Sequence, residues 1–367
     1  MRQTVAILTS QSPVNPGGLE HLVRELSKGL ELRGYEVLIF HRGNAVPKWL
    51  QQPKSRILKG VGDLLVNWYL GRELHSLADR ELAAVITNGP VGMYVPTNNG
   101  SNPKKLHFYH GTYRQQAEAI RPFIKYRGYL KLKWWDSMVL ERASGAGKQV
   151  LCNSDQTLEE VRRFFGYQGV TTWLPLDTSH FRPLEQADCR RRLGLPEGVP
   201  VGLFAGINHP MKGFPIVRTL IQSLSGVHWL LALRGGIPTK VQDNPRVQVF
   251  RNAAYDLLPT LYNAADFAVF PSRYEAFGYV VAEALACGTP VIASPGGASR
   301  LFLQDRPLSS LMIEDADDSD SFFAVARSLL NDVPLYKRAA IEKARPRVID
   351  IMSPENWWPN FFKVTGL

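Results

Sequence analysis

The feature that most constrains the fold is a short apolar run followed by a helical pattern, a unit that repeats along the chain. The first run, TVAILTS (4–10), is continuously apolar, as a buried parallel strand is. Gly17 and Gly18 then open a predicted helix whose apolar residues in 19–30 share one face, and YEVLIF (35–40) is the next predicted strand. This β-loop-α-β order with short connections predicts a doubly wound parallel α/β sheet.

The pattern occurs in two sets, which predicts two doubly wound α/β domains of ~150–200 residues each in the 367-residue chain. A polar, proline-containing stretch at 173–183 separates the sets, so we predict one domain over 1–173 and another over 174–352. The aromatic tail 353–367 follows a completed second sheet, and we expect it to return to the first domain. The further predicted strands lie at 83–88, 105–111, 148–154, 199–206, 228–236, 246–250, 266–272 and 289–297.

The composition is that of a globular protein, with 45% hydrophobic and 21% charged residues, and argues against disorder. Cys152, Cys189 and Cys287 lie far apart, which argues against a disulfide framework or a zinc ribbon. No apolar run reaches the ~18 residues of a membrane span. The first apolar stretch is also too short for a signal peptide. We therefore expect a cytoplasmic protein.

Positive charge is concentrated in the first half of the chain. Residues 1–173 carry 23 basic and 14 acidic side chains, which accounts for nine of the ten net positive charges. An anionic partner or surface is therefore expected for this half. No nucleic-acid recognition module is present, so we expect no nucleic-acid partner.

Residues 121–135 are basic and aromatic and contain no acidic residue. A helix of this kind is typical of proteins that bind anionic membrane surfaces, here the inner face of the membrane. The alternatives are a wall of an acceptor site and an ordinary helix with a solvated basic face. The candidate membrane or acceptor residues are Lys125, Arg127, Lys131, Lys133, Trp134 and Trp135.

Three loops in the second half, 205–213, 270–283 and 294–299, each follow a predicted strand and should meet at one sheet edge. Glu275 and Glu283 flank a predicted helix start in the second of these loops. A carboxylate accepts hydrogen bonds from sugar hydroxyls, and helix-start amides suit phosphate. This arrangement would suit a ribose, a diphosphate and a sugar in line. The alternative is that Glu275 caps the helix and Glu283 is solvent-exposed.

Three other features have a functional and a structural interpretation. Lys212 precedes a glycine and could neutralise a phosphate or be an ordinary surface lysine. His110 ends a predicted strand and is either a site residue or a histidine at the edge of the core. DADDSD (315–320) has the D-x-D spacing of metal-dependent transferases, but it precedes a predicted helix away from the three loops. We interpret it as an acidic helix start and expect no metal.

The segment EAFGYVVAEALACGTPVIAS (275–294) resembles the E-x7-E signature of the retaining GT-B glycosyltransferases of family 4. The resemblance extends to GGLEHLVREL, YHG, LPLDTSHF, the Lys-Gly pair, DLLPTLYNAADFAVFPS and PGG. It implies two Rossmann-like domains facing a central cleft, with a nucleoside diphosphate sugar as donor and no metal cofactor. It also implies that the second domain holds the nucleotide and the first domain holds the acceptor.

The resemblance also assigns roles. It implies that Lys212, Glu275 and His110 take part in catalysis and that Glu283 binds the ribose. The other donor-binding residues that it implies are Gly17, Gly18, Ala276, Phe277, Gly278 and Tyr279. The family usually has an arginine where this chain has Ile207. Arg234, Arg251 and Arg273 are candidates to replace it, and we include Arg251 among the donor-binding residues.

These inferences predict sugar transfer with retention at the anomeric carbon. By family habit the donor is UDP-linked, and the acceptor is a glycan or a lipid-linked molecule of cell-envelope or polysaccharide synthesis. Two alternatives remain: a sugar-nucleotide epimerase, and a non-catalytic nucleotide-sugar-binding subunit. The sequence does not identify the sugar, the base or the acceptor.

Overall fold

The computed structural model describes residues 2–15, 17–51, 56–77, 81–95, 103–236 and 239–367. The chain divides into two compact units. Unit 1 comprises Met1–Pro175 and Trp357–Leu367, and unit 2 comprises Leu176–Asn356.

In the described part of unit 1, a parallel sheet of six strands has the order β2-β1-β3-β4-β5-β6. The first strand is buried along its whole length, as its continuous apolar run predicts. The last strand is short and was not predicted from the sequence. The strands are β1 (Thr4–Leu8), β2 (Glu36–Phe40), β3 (Leu82–Asn88), β4 (Lys104–Tyr109), β5 (Gln149–Cys152) and β6 (Gly169–Thr171).

The helices of unit 1 join these strands. The first helix buries Leu22, Val23, Leu26 and Leu30, so the predicted apolar face is confirmed, and Gly34 follows it with φ +89°. The helices are α1 (Gly18–Glu31), α2 (Arg42–Ala45), α3 (Lys48–Gln51), α4 (Arg56–His75), α5 (Tyr113–Ile120), α6 (Tyr126–Leu130), α7 (Arg142–Gly145) and α8 (Asp155–Phe165). A 3₁₀ turn (Arg121–Phe123) precedes α6, and a π-helical segment (Lys131–Glu141) follows it.

In the described part of unit 2, a parallel sheet of five strands has the order β11-β10-β7-β8-β9. The strands are β7 (Val201–Ile207), β8 (His228–Arg234), β9 (Val247–Arg251), β10 (Phe267–Phe270) and β11 (Val291–Ala293). The helices are α9 (Gln186–Leu193), α10 (Phe214–Ser223), α11 (Thr239–Gln242), α12 (Leu258–Ala264), α13 (Tyr279–Ala286), α14 (Gly297–Phe302), α15 (Ser319–Asn331), α16 (Val333–Ala339) and α17 (Arg345–Met352). The strand order reverses between β7 and β10, and ligands of open α/β sheets bind at the carboxyl ends of strands at such a reversal.

A C-terminal helix, α18 (Pro354–Thr365), packs its aromatic side chains on unit 1. Trp357 is buried, and its Nε1 donates a hydrogen bond to the carbonyl of Thr172 at 2.8 Å. The Trp358 ring lies against Gly29 of α1, where an added Cβ would come within 1.8 Å of the ring. Burying such aromatic side chains contributes roughly 1.5–3 kcal/mol each. In the part of the chain that the structure describes, no helix is both long and apolar enough to span a bilayer.

Candidate functional site

Lys212 and Glu275 form an ion pair in unit 2, in the loops that follow β7 and β10. The Lys212 Nζ donates a hydrogen bond to Glu275 Oε2 at 2.5 Å. The Ser272 hydroxyl lies 3.5 Å from the same oxygen. The lysine and glutamate side chains are 25% and 20% exposed, so both can be reached from solvent. The pair lies at the reversal of strand order, where the topology predicts a ligand.

The lysine loop is packed directly on the glutamate loop. Gly213 has φ +65°, and a Cβ on it would lie 1.8 Å from the carbonyl oxygen of Pro271, so only glycine fits there. The amide of Arg273 donates to the carbonyl of Met211 at 2.9 Å. These contacts fix the distance between Lys212 and the segment that carries Glu275.

Helix α13 begins at Tyr279, shortly after Glu275, with Gly278 at its N-cap in the left-handed conformation (φ +93°). A Cβ on Gly278 would lie 3.0 Å from Glu275 Cγ. The Phe277 carbonyl accepts a 2.6 Å hydrogen bond from Ala298 at the start of α14, which ties the third predicted loop to this one. Ala276 and Phe277 are buried and Tyr279 is half-buried. The N-terminus of α13 carries the positive end of the helix dipole, which suits a phosphate.

Glu283 lies in the second turn of α13 and is buried. The Tyr262 hydroxyl donates to its Oε2 at 2.7 Å. Burial raises the pKa of Glu283 to about 7, against the opposing effects of the Tyr262 hydrogen bond and the positive charge of Arg234. When it is ionised, a carboxylate can accept several hydrogen bonds.

The three arginines that could replace the one missing at Ile207 differ in position. Arg273 donates to the Pro210 carbonyl and pairs with Asp317. Arg251 ends β9, which is separated from β7 by β8, and its side chain is exposed and donates to Gln242 at 2.7 Å. Arg234 is the residue whose charge acts on Glu283. The structure thus places the predicted donor-binding residue Arg251 two strands away from the strand that leads to Lys212.

His110 of unit 1 follows β4 and lies beside Asn88, the last residue of β3. Its Nε2 is 3.2 Å from Asn88 Oδ1, and Asn88 Nδ2 donates to the carbonyl of Leu8 at 3.4 Å. Burial lowers the pKa of His110 to about 4, so the ring is neutral near pH 7 and can donate from Nε2. The order β2-β1-β3 places these residues at the strand-order reversal of the first sheet.

Gly17 and Gly18 lie at the same edge of unit 1, where α1 begins. Gly17 is the N-cap and Gly18 is the first helical residue. The Gly17 backbone is extended, and a Cβ there would lie 1.9 Å from the Glu20 carboxylate. Glycine at position 17 therefore lets this acidic side chain fold back over the helix start, where negative charge is favourable.

Comparison with known proteins identifies the family. Residues 16–175 match the family model described as Glycosyltransferase Family 4, and residues 201–332 match the model described as Glycosyl transferases group 1. The chain belongs to the group 1 glycosyltransferases of family 4. Its two parallel sheets are those of the GT-B fold, which confirms the predicted fold class.

Individual relatives of this family 4 glycosyltransferase are distant. It is 32% identical over 219 residues to a D-inositol 3-phosphate glycosyltransferase of Geodermatophilus obscurus, and the match covers 50% of this chain and 47% of that protein. The chain thus spans about half the length of this curated relative. A sucrose-phosphate synthase from Thermosynechococcus elongatus shares the fold, with a TM-score of 0.81 at 22% identity, over 99% of this chain and 98% of that one. Anabaena HepE, solved with UDP-glucose, has a TM-score of 0.72 at 17% identity, over 100% of both chains.

Two residues that contact the candidate site residues were not predicted from the sequence. Tyr262 holds Glu283 from α12, 21 residues earlier in the chain, and Asn88 holds His110 from the neighbouring strand. Tyr262 lies within DLLPTLYNAADFAVFPS, one of the segments that carry the family resemblance, so the sequence did contain a signal that could have identified it. No spacing rule connects Asn88 to His110, because strand register brings them together.

The basic, aromatic stretch 121–135 is not one regular helix, as the sequence suggested, but the 3₁₀ turn, α6 and part of the π-helical segment. Lys131 pairs with Asp136 at 2.5 Å and Lys133 pairs with Glu118 at 2.6 Å, so acids outside the stretch offset both charges. Trp135 is half-buried. Five exposed residues of the stretch form what we call the aromatic-basic surface: Phe123, Lys125, Tyr126, Arg127 and Trp134.

The acidic segment 315–320 starts a helix. Asp318 is the N-cap of α15 and accepts from the Ser321 amide at 3.0 Å, which confirms the predicted helix start. Asp317 pairs with Arg273. Among the residues that the structure describes, no group of three or more His, Cys, Asp or Glu side chains could hold a metal ion.

Proposed function

We propose that the protein transfers a sugar from a nucleoside diphosphate sugar to an acceptor hydroxyl, with retention at the anomeric carbon. The observation that supports this best is the Lys212–Glu275 pair at the start of α13, the helix that also carries the buried carboxyl of Glu283. A cation, a helix N-terminus and two carboxylates then lie on connected loops of one unit. These groups match the charges and hydroxyls of a sugar, a diphosphate and a ribose.

In the proposed reaction the bond between the anomeric carbon and the diphosphate oxygen breaks, and negative charge builds on the leaving diphosphate. Lys212 and the first amides of α13 stabilise this charge, which is electrostatic catalysis. Glu275 accepts hydrogen bonds from hydroxyls of the transferred sugar, and Glu283 accepts them from the ribose. The acceptor oxygen attacks on the face that the diphosphate leaves, and the acceptor proton passes to the departing phosphate.

For unit 1 we propose acceptor binding. His110, held neutral and bonded to Asn88, is suited to hydrogen-bonding a sugar hydroxyl rather than to carrying a charge. Gly17 and Gly18 allow a ligand to approach the start of α1 closely. The proposed acceptor is a glycan or a lipid-linked molecule of cell-envelope or polysaccharide synthesis. The aromatic-basic surface supports peripheral binding of this cytoplasmic enzyme to the inner face of the membrane.

We propose a UDP-linked donor because Anabaena HepE, which shares the fold, was solved with UDP-glucose. The test is a thermal-shift screen against UDP, GDP, ADP and dTDP, followed by incubation with the matching nucleotide sugars. A ligand at ~100 times its Kd adds ~2.7 kcal/mol to stability. We expect a shift with UDP and slow release of UDP from its sugar donor. Because Lys212 supplies the cation in this proposal, EDTA should leave that release unchanged.

Two other results would replace this proposal. Recovery of an epimerised nucleotide sugar would indicate the epimerase alternative. Tight binding with no release of nucleotide, even with a range of glycan acceptors, would indicate a non-catalytic binding subunit. No stabilisation by any of the four diphosphates would argue against a nucleotide site.

A further inference from the structure

The cations described so far are too few for the proposed diphosphate site in unit 2. Lys212 is already paired with Glu275, and Glu283 adds a second carboxyl group. A nucleoside diphosphate brings several negative charges of its own. Partly buried charges of one sign repel strongly, so a further cation next to these residues would stabilise the bound diphosphate.

Arg234 is in the position to supply it. It is the last residue of β8, and its register partner on the neighbouring strand is Ile207, the last residue of β7. Both residues are only partly buried, so ligands can reach this end of the two strands. The Asn208 side chain donates to the carbonyl of Gly236 at 3.1 Å, which ties the loop after β7 to the loop after β8. Arg234 therefore borders the same loop that carries Lys212.

We propose that Arg234 binds the diphosphate of the donor, so that β8 supplies a guanidinium at a sheet edge where β7 ends in an apolar residue. The inference rests on the proposed function and adds a phosphate-binding residue to that site. A guanidinium can donate two parallel hydrogen bonds to a phosphate, which a lysine cannot. The charge of Arg234 also acts on Glu283, the carboxyl group that we propose for the ribose.

The competing explanation is structural: Arg234 serves only to hold Glu283 in place. The two explanations predict different losses of affinity for UDP, UMP and uridine when Arg234 is removed. A phosphate contact affects UDP more than UMP and leaves uridine nearly unchanged. Loss of Glu283 geometry affects all three equally, because all three carry the ribose.

The experiment is calorimetric titration of wild type, Arg234→Ala and Arg234→Lys with UDP, UMP and uridine. If ADP or GDP stabilises wild type best in the thermal-shift screen, the corresponding adenosine or guanosine series is used instead. Arg338→Ala is the matched control, since Arg338 is an exposed arginine of α16 in the same unit. We expect Arg234→Ala to weaken UDP binding at least tenfold and uridine binding less than twofold, with Arg234→Lys between wild type and alanine. Arg338→Ala should change UDP binding less than twofold.

A second-site variant tests the position itself. Because Ile207 and Arg234 are register partners, Ile207→Arg in the Arg234→Ala background should recover UDP affinity at least threefold. Equal losses for UDP, UMP and uridine, or unchanged UDP affinity in a folded Arg234→Ala protein, would overturn the proposal while leaving the nucleotide site intact. Failure of wild type to bind any of the diphosphates would overturn the proposed function as well.

Discussion

At the scale of single residues, Glu283 combines burial with a hydrogen-bonded, ionisable carboxyl group. Its pKa is raised to about 7, so the folded protein binds its proton more tightly than the unfolded chain does. Stability from this group is therefore complete below the ordinary pKa of 4.5 and is lost as the pH rises towards 7. In the proposed donor site the ionised form of Glu283 is the better acceptor for ribose hydroxyls, so the role we propose for this residue lowers the stability of the unliganded protein.

We predict that Glu283→Gln stabilises the unliganded protein at pH 8 relative to wild type, by about 2–3 kcal/mol, and has little effect at pH 4.5. Glutamine keeps an acceptor for the Tyr262 hydroxyl but has no proton to lose. Urea unfolding of both proteins between pH 4.5 and 8 measures this difference. A difference that does not change with pH would show that Glu283 titrates normally.

The same residue should determine nucleotide affinity. Glu283→Ala leaves the ribose hydroxyls without an acceptor, and we expect a loss on the order of 1–3 kcal/mol in binding of the diphosphate that wild type binds. Calorimetric titration measures it, with circular dichroism as the check of folding. Unchanged affinity in a folded variant would assign Glu283 a structural role only.

Lys212→Ala should lower kcat more than it weakens donor binding, because the charge on the leaving diphosphate is larger in the transition state. We expect kcat to fall on the order of 10²-fold, as when other charge-stabilising donors are removed. Steady-state kinetics with the identified donor give the two constants, and Lys240→Ala, an exposed lysine of the same unit, is the control. A kcat within about twofold of wild type, with only KM raised, would mean that Lys212 binds the ground state.

At the scale of elements, the loops of the site depend on glycines where another backbone passes. Gly213 and Gly194 have nearly the same positive φ, +65° and +63°, but only Gly213 has a carbonyl oxygen where its Cβ would be. We predict that Gly194→Ala costs about 1–2 kcal/mol, the price of the left-handed conformation. Gly213→Ala should cost more and should reduce nucleotide binding, since the loop must move. Thermal unfolding compares the two, and equal losses would contradict the steric argument.

The ten strands expected from the sequence are all present, and so is the helix predicted at SDSFFAVARSLLND. Continuous apolar runs mark buried parallel strands clearly, because both faces are covered. β6 was missed because it has three residues and none of them is buried. The stretch 121–135 was predicted as one basic helix, and the ion pairs that offset two of its charges were not predicted, because Glu118 and Asp136 lie outside the stretch.

The site could be predicted only in part. Lys212, Glu275 and Glu283 were found because loops after parallel strands share one edge and because their segment resembles a known family. The contacts to Tyr262 and Asn88 depend on packing between elements, which periodicity does not report. The choice of Arg234 over Arg251 depends on strand order and register.

At the scale of the whole molecule, the two halves of the chain differ in net charge and in the family model that each matches. Residues 1–173 hold nine of the ten net positive charges, and residues 16–175 match the family 4 model. The nucleotide-site candidates lie in the second half, which is nearly neutral and matches the group 1 model. An excess of positive charge in the proposed acceptor half is what an enzyme needs if its acceptor is anionic or lies at an anionic surface.

The aromatic-basic surface makes this argument testable. An exposed cation near an anionic membrane contributes ~1 kcal/mol, and the effect disappears within a Debye length. We therefore predict that the protein sediments with phosphatidylserine-containing vesicles at low salt but not with phosphatidylcholine vesicles. It should be released at ~0.5 M salt, where the Debye length is short.

Two double variants remove the same amount of charge and test this prediction. Lys125→Gln/Arg127→Gln should weaken vesicle binding at least tenfold, because these cations are exposed. Lys131→Gln/Lys133→Gln should weaken it much less, because Asp136 and Glu118 already offset those charges. Equal losses of vesicle binding in the two double variants would show that only net charge matters. If wild type does not bind anionic vesicles at low salt, the aromatic-basic surface does not bind membranes, and a soluble acceptor would be its ligand.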